Sequence, residues 1–170
     1  MNGKTGGYAI AGAVFVIDQV VKWLVVDVLG IARLGDRLEI VSIFDLRFVP
    51  NVGVSLGLLP ADSDAMRWAL VGVTALIALG VGIWMTREPN RHDRAALALV
   101  LGGALGNILD RMRFGYVVDY ADLHFGEFRP FLVFNVADAA ITIGVVILLV
   151  RALFVREKDA GAAPVEKSNA

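Results

Sequence analysis

The sequence predicts an all-α polytopic membrane protein, four transmembrane helices with a small extracytoplasmic β-sheet built from one of the connections. Three observations carry this. Of 170 residues, 57% are hydrophobic, and the mean hydropathy of +0.67 is far above that of a soluble domain. The apolar residues gather in four long runs. The charged residues return between those runs, where the pattern changes to the alternation of strands.

Composition also excludes several functions. A net charge of -1 offers no basic surface, so no nucleic-acid partner is expected. The absence of cysteine rules out disulfides, thiol catalysis, cysteine zinc sites and lipid anchoring through a cysteine. His92 and His124 are the only histidines and no HExxH joins them, so neither a zinc protease nor any other metal or cofactor site is expected.

The first helix is expected at about 8–29. Tyr8 to Leu29 is apolar enough to span roughly 33 Å at helical rise. A cleaved signal peptide is the alternative, but the run is too long, is interrupted by Asp18 and Lys22, and lacks a small-residue cleavage site after it. Asp18 and Lys22 lie four residues apart, on one helical face, with the acid first. They can neutralise one another, either as a packing lock or as part of a site.

The connection 30–65 is too long to be bare. Phe44 to Phe48 alternates apolar and charged residues, and Leu38-Glu39-Ile40 begins the same way, which predicts strands with one buried face, stopped by Pro50. Asn51, Gly53 and Ser55 follow in an NxGxS pattern that taken alone is an ordinary turn. The second helix is expected at about 66–86, with Trp68 and Trp84 near its ends as interfacial anchors. Its glycines 72, 80 and 82 are expected to permit close helix contact.

Three arginines between Arg87 and Arg94 mark that short loop as cytoplasmic. Both termini are then cytoplasmic, and connections 30–65 and 113–130 face the other side. The third helix, about 95–112, carries Gly102, Gly103, Gly106, Asn107, Asp110 and Arg111 toward that side. The fourth, about 131–154, places Asp138 about seven residues, or roughly 10 Å, inside its start. Asp119 lies between them in VVDY, a stretch that suits a strand or a dip into the outer leaflet. Residues 156–170, rich in Ala, Lys and Glu, are expected to form a disordered cytoplasmic tail.

Intramembrane acids are costly and mark function. Asp119 and Asp138 together can hold one proton, one as base and one as acid, as an aspartic protease needs. A proton relay or transporter uses such acids too. Asp110 fits better as a structural partner of Arg111 or a helix cap, whereas Asp138 is expected to lie too deep for a cap.

The blocks DQxxK at Asp18 to Lys22, NxGxS at Asn51 to Ser55, GGALGNxxDR at Gly102 to Arg111, VVDY at Val117 to Tyr120 and FNxAD at Phe134 to Asp138 occur in an order that resembles the lipoprotein signal peptidase, or signal peptidase II, family of bacterial intramembrane aspartic proteases over residues 8 to 155. The resemblance implies a single membrane-embedded peptidase domain, with connection 30–65 forming a small β-sheet cradle. It implies Asp119 and Asp138 as the catalytic dyad. Asn51, Gly53, Asn107, Arg111 and Asn135 would line or support the site, with Asp18 and Lys22 as a polar cluster beside it. The implied partner is a diacylglyceryl-modified prolipoprotein, cut before its lipidated cysteine by a monomer surrounded by membrane lipid of the bacterial inner membrane. Leu56 stands where the family often carries Phe.

Overall fold

The computed structural model describes residues 3–53 and 63–160. Four helices form an antiparallel bundle: α1 (Gly3–Trp23), α2 (Asp64–Arg87), α3 (Arg91–Phe114) and α4 (Val136–Ala160). Four helical segments are long and apolar enough to cross a membrane, Thr5–Val28, which runs past the end of α1, Asp64–Arg87, Arg91–Phe114 and Val136–Phe154. A three-stranded antiparallel sheet of β1 (Arg37–Val41), β2 (Phe44–Asn51) and β3 (Val117–Leu123), ordered β1-β2-β3, closes one end.

The helix ends are set by polar caps outside the apolar runs, which is why α2 and α3 exceed their expected bounds. Ser63 Oγ accepts from the Met66 N–H at 3.2 Å, and Asn90 Oδ1 accepts from the His92 N–H at 2.9 Å, satisfying donors that a helix start leaves free. Gly115 ends α3 in the left-handed region at φ 86. Arg67 of α2 donates from Nε to the Arg111 carbonyl at 2.7 Å and also reaches the Met112 carbonyl. At the same end of the bundle α1 widens into a π-helical turn over Leu24–Val28. The fourth helix begins at Val136, not Phe131, and continues to Ala160, through the first residues of the expected tail. Residues 161–170 lie outside the described residues.

The central element is α3, packed against α1, α2 and α4. Its glycines set the spacing. A Cβ on Gly102 would lie 2.5 Å from the Ala11 carbonyl oxygen of α1, and one on Gly103 would strike the Ala137 carbonyl of α4. From α4, a Cβ on Gly144 would lie 2.6 Å from the Ala96 carbonyl of α3. The glycines of α2 do not serve this purpose, contrary to expectation. Gly72 and Gly80 have nothing within 4 Å of a Cβ, and at Gly82 the nearest atom is a Leu101 methyl at 3.9 Å, because α2 packs on α3 through Val71, Ala78 and Met85 instead.

In the sheet, Phe44, Leu46 and Phe48 pack with Val25, Ile31, Val118, Tyr120 and Ala121, as the alternation predicts, but Asp45 on the other face is also buried, contrary to the expectation of a single buried face. β1 departs from expectation. All its residues are exposed, since it is the sheet edge. Pro50 does not stop β2, which runs to Asn51. Pro50 pairs with Val118 beyond the last β1 partner, Arg47, where its missing N–H costs no bond to β1. VVDY is a strand buried at every position from Val117 to Asp122.

These packing distances predict opposite outcomes for two glycine substitutions. Gly144→Val should destabilise by about 1–3 kcal/mol, because backbone and not a flexible side chain must yield. Gly80→Ala should leave stability unchanged or slightly raised. Thermal unfolding in one detergent compares them directly.

Candidate active site

Asp119 and Asp138 arrive from different elements and are joined by asparagines. Asp119, on β3, is 2% exposed. Its Oδ2 accepts from Asn51 Nδ2 at 3.0 Å and its Oδ1 from Asn135 Nδ2 at 2.6 Å. Asp138 is half-buried in the first turn of α4. Its Oδ1 accepts from Asn107 Nδ2 at 2.8 Å.

The expectation that Asp138 lies too deep for a cap is therefore corrected. Residues 131–135 are not helical, and Phe134 pairs through its backbone with Ala121 of β3. Asn135 is the residue before the helix. Its Oδ1 accepts from the Asp138 N–H at 2.8 Å while Asp138 Oδ2 accepts from the Asn135 N–H at 3.3 Å, the reciprocal arrangement of a capping box. The three-residue spacing was the signal that could have revealed it.

Asp18, Lys22 and Asp110 form one buried cluster next to this pair. The Lys22 ammonium lies 2.8 Å from Asp18 and 2.7 Å from Asp110, and donates to Asn107 Oδ1 at 3.3 Å. Asp18 Oδ1 accepts the Ala137 N–H at 2.9 Å, so α1 satisfies a second free donor at the start of α4. Asp110 pairs with Lys22 and accepts the Val118 N–H at 3.1 Å, rather than pairing with Arg111 or capping its own helix. Arg111 is near enough to Asp138, Asp119 and Asp110 to feel the negative charge of all three, and its Nε is buried with no hydrogen-bond partner among the described residues.

One participant escaped the sequence reading. Gln19 donates to Asp18 at 3.1 Å and to Asp110 at 3.0 Å; it stands inside a motif block but carries no charge to draw attention. Gly106, read only as one of the glycines of the third helix, makes room for the cluster: a Cβ there would lie 2.5 Å from Asp18 Oδ2.

The three amides are each oriented by a group that can only donate. Lys22 turns the Asn107 oxygen toward itself, the Asp138 N–H holds the Asn135 oxygen, and the Gly53 N–H donates to Asn51 Oδ1 at 3.0 Å. Every NH2 group is thereby left for a carboxylate. Gly53 sits at φ 96, and a Cβ there would lie 2.5 Å from Leu70 Cδ1, so the turn requires glycine. Ser55, Leu56 and Gly57 lie outside the described residues.

Burial, and next the charge of Asp138, push the Asp119 carboxyl up to about 7, against the hydrogen bonds from Asn51 and Asn135. Such a group can hold or release a proton near neutrality. An apolar groove of about 300 Å³, walled by Phe131, Leu132, Phe134 and Ile143, reaches Asp138, and a larger cleft of about 670 Å³ reaches Asp119.

A four-span membrane bundle with two carboxylates joined by oriented amides at its sheet end has the parts of a membrane-embedded hydrolase. Comparison with known proteins makes the class specific. The family described as Signal peptidase (SPase) II matches residues 10–154, and the chain belongs to that family of peptidases. It is 52% identical to the lipoprotein signal peptidase of Sphingopyxis alaskensis over 162 residues, 95% of this chain and 92% of that protein. With the Rhizorhabdus wittichii lipoprotein signal peptidase it shares 53% identity over 160 residues, 94% and 92% of the two chains. A bacterial membrane enzyme of known structure superposes with TM-score 0.74 at 25% identity, covering 97% of this chain and 95% of that one.

Lys22→Met should destabilise by about 3–5 kcal/mol, because two buried carboxylates lose their cation. Adding Asp18→Asn and Asp110→Asn should recover part of the loss, as read by thermal unfolding. The Asp119 carboxyl, raised from 3.8 to about 7, binds its proton more tightly folded than unfolded. Its contribution is complete below the unfolded value and is lost as pH rises through about 7. The melting temperature should therefore fall between about pH 4 and about pH 7, and Asp119→Asn should flatten that slope.

Proposed function

We propose that this chain is an intramembrane aspartic endopeptidase that removes the signal peptide from diacylglyceryl-modified prolipoproteins, cutting before the lipidated cysteine. The observation that carries this reading is the coupled pair, Asp119 and Asp138, each held by an oriented asparagine and each reached by a cavity. Family membership supports the substrate class.

The pair holds one proton between its two carboxyls. The ionised carboxyl takes a proton from water as the water oxygen bonds to the scissile carbonyl carbon, and the protonated carboxyl gives its proton to the carbonyl oxygen. The tetrahedral intermediate then collapses: the C–N bond breaks as the departing cysteine nitrogen takes a proton from the carboxyl that accepted one, and one hydroxyl of the intermediate gives its proton to the other carboxyl, which leaves the new acid group and restores the one-proton pair. Amide N–H groups of Asn51, Asn107 and Asn135 hold the carboxyls in place through these transfers. Arg111 supplies positive charge beside them.

The apolar groove at Asp138 suits signal helix and acyl chains that remain in lipid. The arginine-rich turn between α2 and α3 lies at the opposite end of the bundle from the sheet, which favours both termini in the cytoplasm and the site on the extracytoplasmic side of the bacterial inner membrane. The chain acts as a monomer with its substrate and surrounding lipid.

Purified protein in detergent, given a diacylglyceryl-modified prolipoprotein, should release the signal peptide. Asp119→Asn and Asp138→Asn should each lose on the order of a thousandfold or more in kcat while remaining folded. For the wild type, kcat/KM should fall as pH rises through about 7. Near-normal turnover by either folded variant would sink the dyad assignment.

A further inference from the structure

The cleft that reaches Asp119 has a second chemical end, formed by Arg47 and Arg129. Arg47 comes from β2 and Arg129 from the segment after β3. Both nevertheless lie 3.3 Å from one oxygen, Oδ2 of Asp122. Asp122 is buried, whereas the arginine side chains are 40% and 38% exposed. One guanidinium neutralises one carboxylate, so the second leaves surplus positive charge in the cleft. The neighbouring acid does not absorb it. Asp45, the partner of Asp122 in the β2–β3 register, already has Arg37 at 2.7 Å and His124 at 2.9 Å. A guanidinium has five N–H donors in a fixed plane, and each arginine spends one on Asp122. The remaining donors suit an anion with two oxygens in one plane.

The geometry points to Arg47 and Arg129 as a subsite for an acidic side chain of the prolipoprotein, within the few residues that follow the lipidated cysteine. This rests on the peptidase reading above. The two cavities decide the side of the scissile bond. The groove at Asp138 has mostly apolar walls and takes the lipid-embedded parts of the substrate. The arginine-lined cleft is the more polar of the two, and the segment after the cysteine is the part of the substrate that leaves the lipid. Phe131 and Leu132 line both cavities and separate the two paths.

The test uses diacylglyceryl lipopeptides identical except for Asp, Asn or Lys at each of the first few positions after the cysteine, with kcat/KM measured for the full chain in nanodiscs. At one or two positions Asp should be cut roughly threefold to tenfold better than Asn, with Lys worse than both. Added salt should shrink the preference. In Arg47→Gln and Arg129→Gln the Asp/Asn ratio should move to about one, and Arg129→Lys should keep part of it. A ratio of about one at every position in the wild type, with the Asn peptides still cut, overturns the subsite and leaves the peptidase standing. Failure of folded wild type to cut any peptide overturns both. A dependence on anionic phospholipid that the arginine variants lose, without any effect of peptide charge, also overturns the subsite and gives the arginines to a lipid phosphate.

Discussion

The Lys22 ammonium is the interaction on which the rest of the site depends. It sits between Asp18 and Asp110 at 2.8 and 2.7 Å, in surroundings where any one of these charges alone would be expensive. Each partner then performs a second task. Asp18 accepts the Ala137 N–H and fixes where α4 starts; Asp110 accepts the Val118 N–H and fixes where β3 leaves α3. One cation thus holds the two elements that carry Asp119 and Asp138 at a defined separation from α1.

Orientation follows from the same cation at one amide and from backbone N–H groups at the other two. An amide can turn either way, but an ammonium and a backbone N–H can only donate. Asn107 meets Lys22, Asn135 meets the Asp138 N–H, and Asn51 meets the Gly53 N–H, so each presents NH2 groups to a carboxylate without an alternative of equal energy. A site built from neutral amides acquires direction in this way. The close approach it needs comes from Gly103 and Gly106 of α3, where side chains would strike Ala137 and Asp18.

Much of this was legible in the sequence, and the failures have physical causes. Four apolar runs revealed four spans, because lipid demands continuous hydrophobicity. The helix ends were less legible, since Ser63 and Asn90 cap from outside those runs. Phe131 to Phe134 is apolar and reads as helix, but Phe134 pairs with β3 instead, so helix formation waits for Asn135. Glycine content could not say which glycines face a neighbour: Gly80 meets nothing while Gly144 meets the Ala96 backbone. The alternation put Asp45 on the solvent-facing side of its strand, and Asp122 drew no reading. They are buried because partners distant in sequence, Arg37, His124, Arg47 and Arg129, converge on them, and a pattern of period two contains no information about such partners.

The division of the two carboxylates between a strand and a helix start has a mechanical consequence. Asp119 is held in β3, which is covered on both faces and hydrogen-bonded to β2. Asp138 is held in a turn whose cap, Asn135, also donates to Asp119 at 2.6 Å. The residue that starts α4 is therefore the residue that ties the pair together. Any fraying of that helix end would release the cap and the carboxylate link in one motion, so the stability of the first turn and the geometry of the pair are a single quantity. Asp18 guards that turn from α1 through Ala137, which explains why an ion pair more than a hundred residues earlier in the chain, Asp18 with Lys22, belongs to the same site.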